Sequence, residues 1–203
     1  MNEILIYRGK FGHGIAGEPL VRKAAESWAA DNGSGSELVE KIVKTPIVRI
    51  NGRPEFQDLP FDFSISHSID VWAILFSEER CGLDLQFFRE QGGRLSQIAD
   101  RFFPEQQRKF AKSSRADFFR VWTLREAMGK YTGKGVLDDL PDLIPEKDME
   151  AELEGEWVEL REIDLSLIRE SDPELYECMR KTGASMTACL KKGTGPIKVR
   201  TLK

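Results

Sequence analysis

FDFSISHSIDVWAILFSEERCGLDLQF, residues 61–87, packs three strand-like runs into one short stretch. Phe61 to Ser66 alternates strictly, so Phe61, Phe63 and Ile65 face one way and Asp62, Ser64 and Ser66 the other. Val71 to Phe76 is a continuous apolar run, as expected of a strand covered on both faces. Cys81 to Phe87 alternates again and sets Gly82, Asp84 and Gln86 on one face, about 7 Å between successive members. The connections are too short for helical crossovers, so the three runs predict an antiparallel meander.

Upstream, Ile4 to Tyr7 reads as a strand. A helix is expected over about 18–30, with Pro19 in its first turn, and a second over 37–44 capped by Ser36. A strand over 46–50 ends in the turn signal Asn51-Gly52. Downstream, residues 95–132 are mainly helical, interrupted near Pro104 and Ser113-Ser114, and strands are expected near 157–161 and 185–191. Sheet and helix material occurs in both halves, so the fold class is α+β.

The chain has 203 residues, 40% hydrophobic and 32% charged, which is an ordinary globular balance. Its formal charge of −4 argues against nucleic acid as a partner. No apolar stretch approaches the roughly 18 residues of a membrane span, and the start is no signal peptide, so neither a membrane nor an exported location is expected and the chain is read as cytoplasmic. Cys81, Cys178 and Cys189 match no metal spacing and read as apolar residues in a reducing compartment.

Three features carry chemistry. Asp84 and Gln86 are polar on a strand otherwise filled with Leu and Phe. On a helix, Trp122, Glu126 and Lys130 lie four apart on one face, with Gly129 and Gly133 beside them. A Glu–Lys pair at this spacing is also an ordinary helix ion pair. Glycine, however, costs a helix about 1 kcal/mol against alanine and stays where something must come close. His67 follows a strand between Ser66 and Ser68, and flanking hydroxyls with free backbone N–H groups suit a phosphate.

Together these segments resemble the Sfp-type family of 4′-phosphopantetheinyl transferases. Gly52-Arg53-Pro54, Ser64-Ile65-Ser66-His67-Ser68, Gly82-Leu83-Asp84-Leu85-Gln86 and Arg101-Phe102-Phe103 stand in that family's order and spacing. So do Trp122-Thr123-Leu124-Arg125-Glu126-Ala127-Met128-Gly129-Lys130 and Gly133-Lys134-Gly135, and Ala184 to Cys189 looks like the family's last strand.

The resemblance implies two similar lobes, each a small antiparallel sheet with helices, related by a pseudo-twofold. The first would cover residues 1–78 and the second 79–203, the latter carrying the metal site, in a chain that acts as a monomer. It implies transfer of the phosphopantetheine arm of coenzyme A to a serine of an acyl or peptidyl carrier protein, releasing 3′,5′-ADP. Asp84 and Glu126 would hold Mg²⁺, Glu126 would take the serine proton, and Lys130 would meet the phosphates. His67, Arg53 and Arg125 would contact coenzyme A, with His13 at the 3′-phosphate. The family's second carboxylate is Gln86 here, and an amide oxygen carries no charge, so a two-carboxylate site is expected. Arg101, Arg108, Lys109, Lys112 and Arg115 against a single Glu105 form a basic stretch that would attract an acidic carrier.

Two other readings stand beside this one. One is a relative that binds coenzyme A or a carrier protein without turnover. The other takes Gly12, Gly14 and Gly17 as a dinucleotide-binding turn of an oxidoreductase.

Overall fold

The computed structural model describes residues 1–9, 17–33, 36–88, 94–136, 139–145 and 149–202. The first half runs β1 (Asn2–Arg8), α1 (Gly17–Asp31), α2 (Ser36–Lys44), β2 (Ile47–Ile50), β3 (Arg53–Phe56), β4 (Asp62–Ser68) and β5 (Val71–Ser77). The second runs β6 (Cys81–Phe87), α3 (Arg94–Phe102), α4 (Glu105–Ala111), α5 (Arg115–Thr132), β7 (Glu150–Leu153) and β8 (Glu156–Glu162). A 3-10 turn at Leu165–Ile168 follows, then α6 (Pro173–Thr182), β9 (Ala184–Lys191) and β10 (Ile197–Thr201). The α+β class holds. The helical stretch is broken where expected, at Pro104 and at Ser114, whose hydroxyl caps α5 by accepting from the Asp117 N–H. Strands β3, β7 and β10 and helix α6 were not foreseen.

Two four-stranded sheets carry the fold, in orders β10-β1-β5-β4 and β6-β9-β8-β7, with β2 and β3 as a separate hairpin. Residues 61–87 therefore do not make a three-stranded meander. Strands β4 and β5 pair antiparallel, but β6 leaves them and pairs with β9 in the second sheet. The final strand β10 returns to the first sheet, parallel to β1. Glu3, fully buried on β1, holds it there through Arg200 at 2.8 Å and Lys198 at 3.5 Å. The chain thus crosses between the sheets twice.

The alternation in β4 explains how β6 is held. Phe63 faces the core under α1, where it packs with Phe56, Phe61 and Phe76. On the other face, β4 meets the outer edge of β6 with side chains instead of backbone. The N–H groups of Cys81, Leu83, Leu85 and Phe87 donate to Asp62 Oδ2 and to the Oγ atoms of Ser64, Ser66 and Ser68, at 2.8, 2.9, 3.0 and 3.1 Å. Every second N–H of an edge strand points away from its paired neighbour. Here each finds an oxygen on every second residue of β4. Behind this seam, Ile4, Val71 and Leu75 pack against Leu83, Leu85 and Phe87 in one shared core.

Helix α5 lies on the opposite face of β6. It is buried along much of its length, with Leu124, Met128 and Tyr131 against Val158, Leu160 and Cys189. The partner that Gly82 admits is this helix: a Cβ there would sit 2.0 Å from the Ala127 carbonyl oxygen and 2.7 Å from the Tyr131 nitrogen. Burial pushes the thiols of Cys81 and Cys189 up, which fits apolar residues.

Because backbone is the obstacle, Gly82→Ala should cost about 3 kcal/mol, the upper end of ordinary overpacking. Urea unfolding should show this as a lower midpoint; a midpoint equal to the parent's would mean that α5 does not press on β6.

Candidate active site

The close contact of α5 with β6 brings the two acids together. Asp84, only 2% exposed, points from β6 toward the helix. The Lys130 ammonium donates to Asp84 Oδ1 at 2.8 Å and to the Leu83 carbonyl at 2.9 Å. Ser66 Oγ donates to the same Oδ1 at 2.7 Å, and Gln86 Nε2 to Oδ2 at 3.3 Å. A buried carboxylate is costly unless paired and hydrogen-bonded, and these three donors meet that need.

Glu126, one turn before Lys130, is half-buried. No ion pair or hydrogen bond to another described residue ties it down. Burial raises its carboxyl above the usual range, the Asp84 charge raises it further, and Lys130 opposes both. Among the described residues no group of three or more His, Cys, Asp or Glu gathers as a metal cluster. Two facing carboxylates still fit Mg²⁺, which commonly takes one or two carboxylates and fills its shell with phosphate and water.

Lys130 also stands at the rim of a cleft of about 430 Å³ between the β2–β3 hairpin, β4 and the end of α5. Arg49, Arg53, Lys130 and Lys134 line it, and among the described residues no acid does. The glycines shape its wall. Gly133, in the left-handed region at φ 79°, ends α5, and the N–H groups of Gly133 and Gly135 both return to the Gly129 carbonyl. A Cβ on Gly129 would lie 2.6 Å from the Gly135 backbone. Gly129 thus makes room for the chain's own loop. Sequence reasoning passed over Arg49 and Lys134 as site residues. Lys134 stands inside the quoted Gly-x-Gly, whereas Arg49 reaches the cleft only through the hairpin pairing that sets it opposite Pro54.

The other named residues are placed differently. His67 lies inside β4, paired with Trp72 and stacked on its ring at 4.5 Å, on the strand face of Ile65 that borders the cleft. The Ser66 and Ser68 hydroxyls beside it accept from the Leu85 and Phe87 N–H groups of β6, so they are engaged across the seam. Arg53 is buried, bonded to Asp62 and to the Tyr131 and Phe63 carbonyls. Arg125 is 5% exposed and turned inward, donating to Gln107 Oε1 at 3.1 Å and the Val136 carbonyl at 3.0 Å. His13, Gly12 and Gly14 lie outside the described residues.

The basic stretch is partly neutralised, since Lys109 pairs with Glu105, and Lys112 and Arg108 with Asp100. Phe103 is core, whereas Phe102 and Phe110 are half-buried under Arg101 and Arg120. The dinucleotide reading fails on topology: β1 is flanked by β10 and β5, and the strand after α1 and α2 belongs to a hairpin outside that sheet.

Comparison with known proteins agrees with the motifs. The chain is 35% identical over 91 residues to the 4′-phosphopantetheinyl transferase gsp of Aneurinibacillus migulanus, covering 42% of this chain and 36% of that protein. It is 32% identical over 92 residues to the 4′-phosphopantetheinyl transferase psf-1 of Bacillus pumilus, covering 42% and 38%. The matched region spans less than half the length of these curated relatives. The family model of the 4′-phosphopantetheinyl transferase superfamily matches residues 80–195, more than half of this chain and the whole run from β6 to β9. With Asp84, Glu126 and Lys130 gathered inside that span, the chain belongs to the 4′-phosphopantetheinyl transferase superfamily.

Proposed function

We propose that this chain transfers the 4′-phosphopantetheine group of coenzyme A to a serine of an acyl or peptidyl carrier protein. The observation that carries this reading is that Lys130, bonded to Asp84 and one helical turn from Glu126, also lines a cleft whose charged side chains, among the described residues, are all cationic. Such a cleft favours a polyanion, and coenzyme A carries a pyrophosphate and a 3′-phosphate. Arg49, Lys134 and His67 would meet the phosphates, with His13 assigned to the 3′-phosphate by resemblance. Arg53 adds charge to the wall while bonded to Asp62. Arg125 acts at a distance, by holding the loop after α5.

Asp84 and Glu126 would hold Mg²⁺, which supplies charge neutralisation at the pyrophosphate. The acceptor serine attacks the phosphorus of the phosphopantetheine group, forming a Ser Oγ–P bond as the P–O bond to 3′,5′-ADP breaks. The serine proton passes to Glu126, directly or through a water. A carboxylate with raised proton affinity and no fixed partner suits that task. Lys130 shifts its ammonium from Asp84 Oδ1 to the leaving phosphate, a short movement for a flexible point charge. Gln86 in place of a third carboxylate favours one other reading, a relative that binds coenzyme A without turnover.

Intact-mass measurement of an apo-carrier protein incubated with this chain, coenzyme A and Mg²⁺ decides between them. The expected result is a gain of one phosphopantetheine, abolished by EDTA and by changing the acceptor serine. Coenzyme A binding with no mass gain across acyl and peptidyl carriers supports the non-catalytic reading.

Removing Arg49 or Lys134 as alanine should raise KM for coenzyme A by roughly 3- to 10-fold, as expected for one charged contact, and leave KM for the carrier protein alone. Equal changes in both would mean that the cleft is not the coenzyme A site.

Glu126→Gln should abolish transfer yet raise the urea midpoint of the metal-free protein near neutral pH. A carboxyl whose folded pKa is raised destabilises the fold once it ionises, so the gain is complete above that raised pKa. It fades as pH falls through the ordinary carboxylate range, where the group is protonated in both states. A midpoint that drops at neutral pH would show that the Glu126 charge is compensated in the fold.

A further inference from the structure

The seam contains one residue that differs from its neighbours. Ser64, Ser66 and Ser68 all accept a β6 N–H, yet only the Ser66 hydroxyl also donates to a carboxylate, Asp84 Oδ1, at 2.7 Å. A serine hydroxyl has one hydrogen, and the Leu85 N–H at 3.0 Å occupies one of its lone pairs. The hydrogen is thereby aimed, and the target is buried with it.

We propose that Ser66 is a positioning residue for Asp84: the first sheet, through this hydroxyl, fixes the carboxylate orientation from which the second sheet binds a divalent cation. The inference rests on the cation role proposed for Asp84 and goes beyond it by assigning Ser66. Of the three donors on Asp84, Lys130 must leave when it turns to a phosphate. Gln86 sits at 3.3 Å from the other oxygen on a half-buried side chain. Ser66 is the shortest contact, and its hydroxyl is itself held by the Leu85 N–H. With it, Oδ1 keeps one direction for its hydrogen bond, and Oδ2, which accepts from Gln86 at 3.3 Å, is the oxygen left for the cation. Without it, a carboxylate freed by Lys130 can rotate, and cation affinity falls.

Ser68 supplies the control, since it makes the equivalent bond to the Phe87 N–H without touching a carboxylate. Ser66→Ala and Ser68→Ala should both lower the urea midpoint, each leaving one buried N–H without its acceptor, and Ser66→Ala by more because Asp84 also loses a donor. Isothermal titration of Mg²⁺ into each protein saturated with coenzyme A then separates them. Ser66→Ala should weaken cation binding roughly 10- to 100-fold, the usual effect of losing a group that orients a metal ligand, while Ser68→Ala stays within about twofold of the parent. Ser66→Thr, which keeps the hydroxyl, should restore most of the affinity. Turnover should follow, with kcat reduced at fixed Mg²⁺ and KM for the carrier protein unchanged.

Parent-like cation affinity in Ser66→Ala overturns the proposal, as does equal weakening in Ser68→Ala, which would make the ladder purely structural. A parent protein that takes up no cation alongside coenzyme A overturns it together with the cation site. Cation and coenzyme A binding without modification of any carrier overturns only the transferase reading and leaves the Ser66 effect measurable.

Discussion

The free edge of β6 is the constraint on which the rest of the structure depends. Four N–H groups along it point away from β9 into protein, and buried donors without acceptors are too costly to leave. A backbone strand in that place would supply carbonyls and make the two sheets one. Asp62 and three serines supply side-chain oxygens instead, at the same two-residue repeat. Side chains rise from a strand's face, so β6 can lie over the face of the first sheet and share its core. The opposite face of β6 is then left for α5, and Gly82 lets that helix come close enough for Lys130 to reach Asp84.

The same approach sets the electrostatics. Asp84 is tolerated at almost complete burial because three donors converge on it, and one of them is a full positive charge. Glu126 is not satisfied in this way, and its raised proton affinity is the cost of burying it, and then of holding it near Asp84, without a partner. Sites that perform chemistry commonly keep such strain where a fold built for stability alone would remove it. The cations of the cleft lie along the other side of Lys130. That lysine therefore bonds Asp84 and at the same time belongs to the lining of the positive groove.

Much of the site was legible because its chemistry sits in short local motifs. Asp84, Glu126 and Lys130 were marked by residue type, by helix spacing and by glycines at odds with helix propensity. Helices α1, α2 and α5 followed from periodicity and caps. What was misread has a common cause. The meander inferred for residues 61–87 came from short connections, but Ser77 to Cys81 only redirects the chain, and the edge of β6 prefers hydroxyls. The hydroxyls flanking His67, read as suited to a phosphate, accept N–H groups of β6 across the seam. Arg53 and Arg125 were named as ligand cations on their motifs, and the protein groups that each also bonds are near only through the tertiary fold. Strand β10 went unseen because five residues near the chain end carry little pattern, and its place depends on Glu3 and Arg200, almost a chain length apart.

The sequence by itself determined the α+β class, most of the regular elements and the family, and it singled out Asp84, Glu126 and Lys130 as the candidate site. Those properties reside in spacing along the chain, where 2.0 and 3.6 residue periods decide which side chains share a face. Only the tertiary structure decided that β6 joins the second sheet, that Ser66 reaches Asp84, and that Arg49 and Lys134 line one cleft. Each of these depends on which distant donor meets which acceptor, and buried hydrogen bonds between remote residues leave no period in the sequence to read.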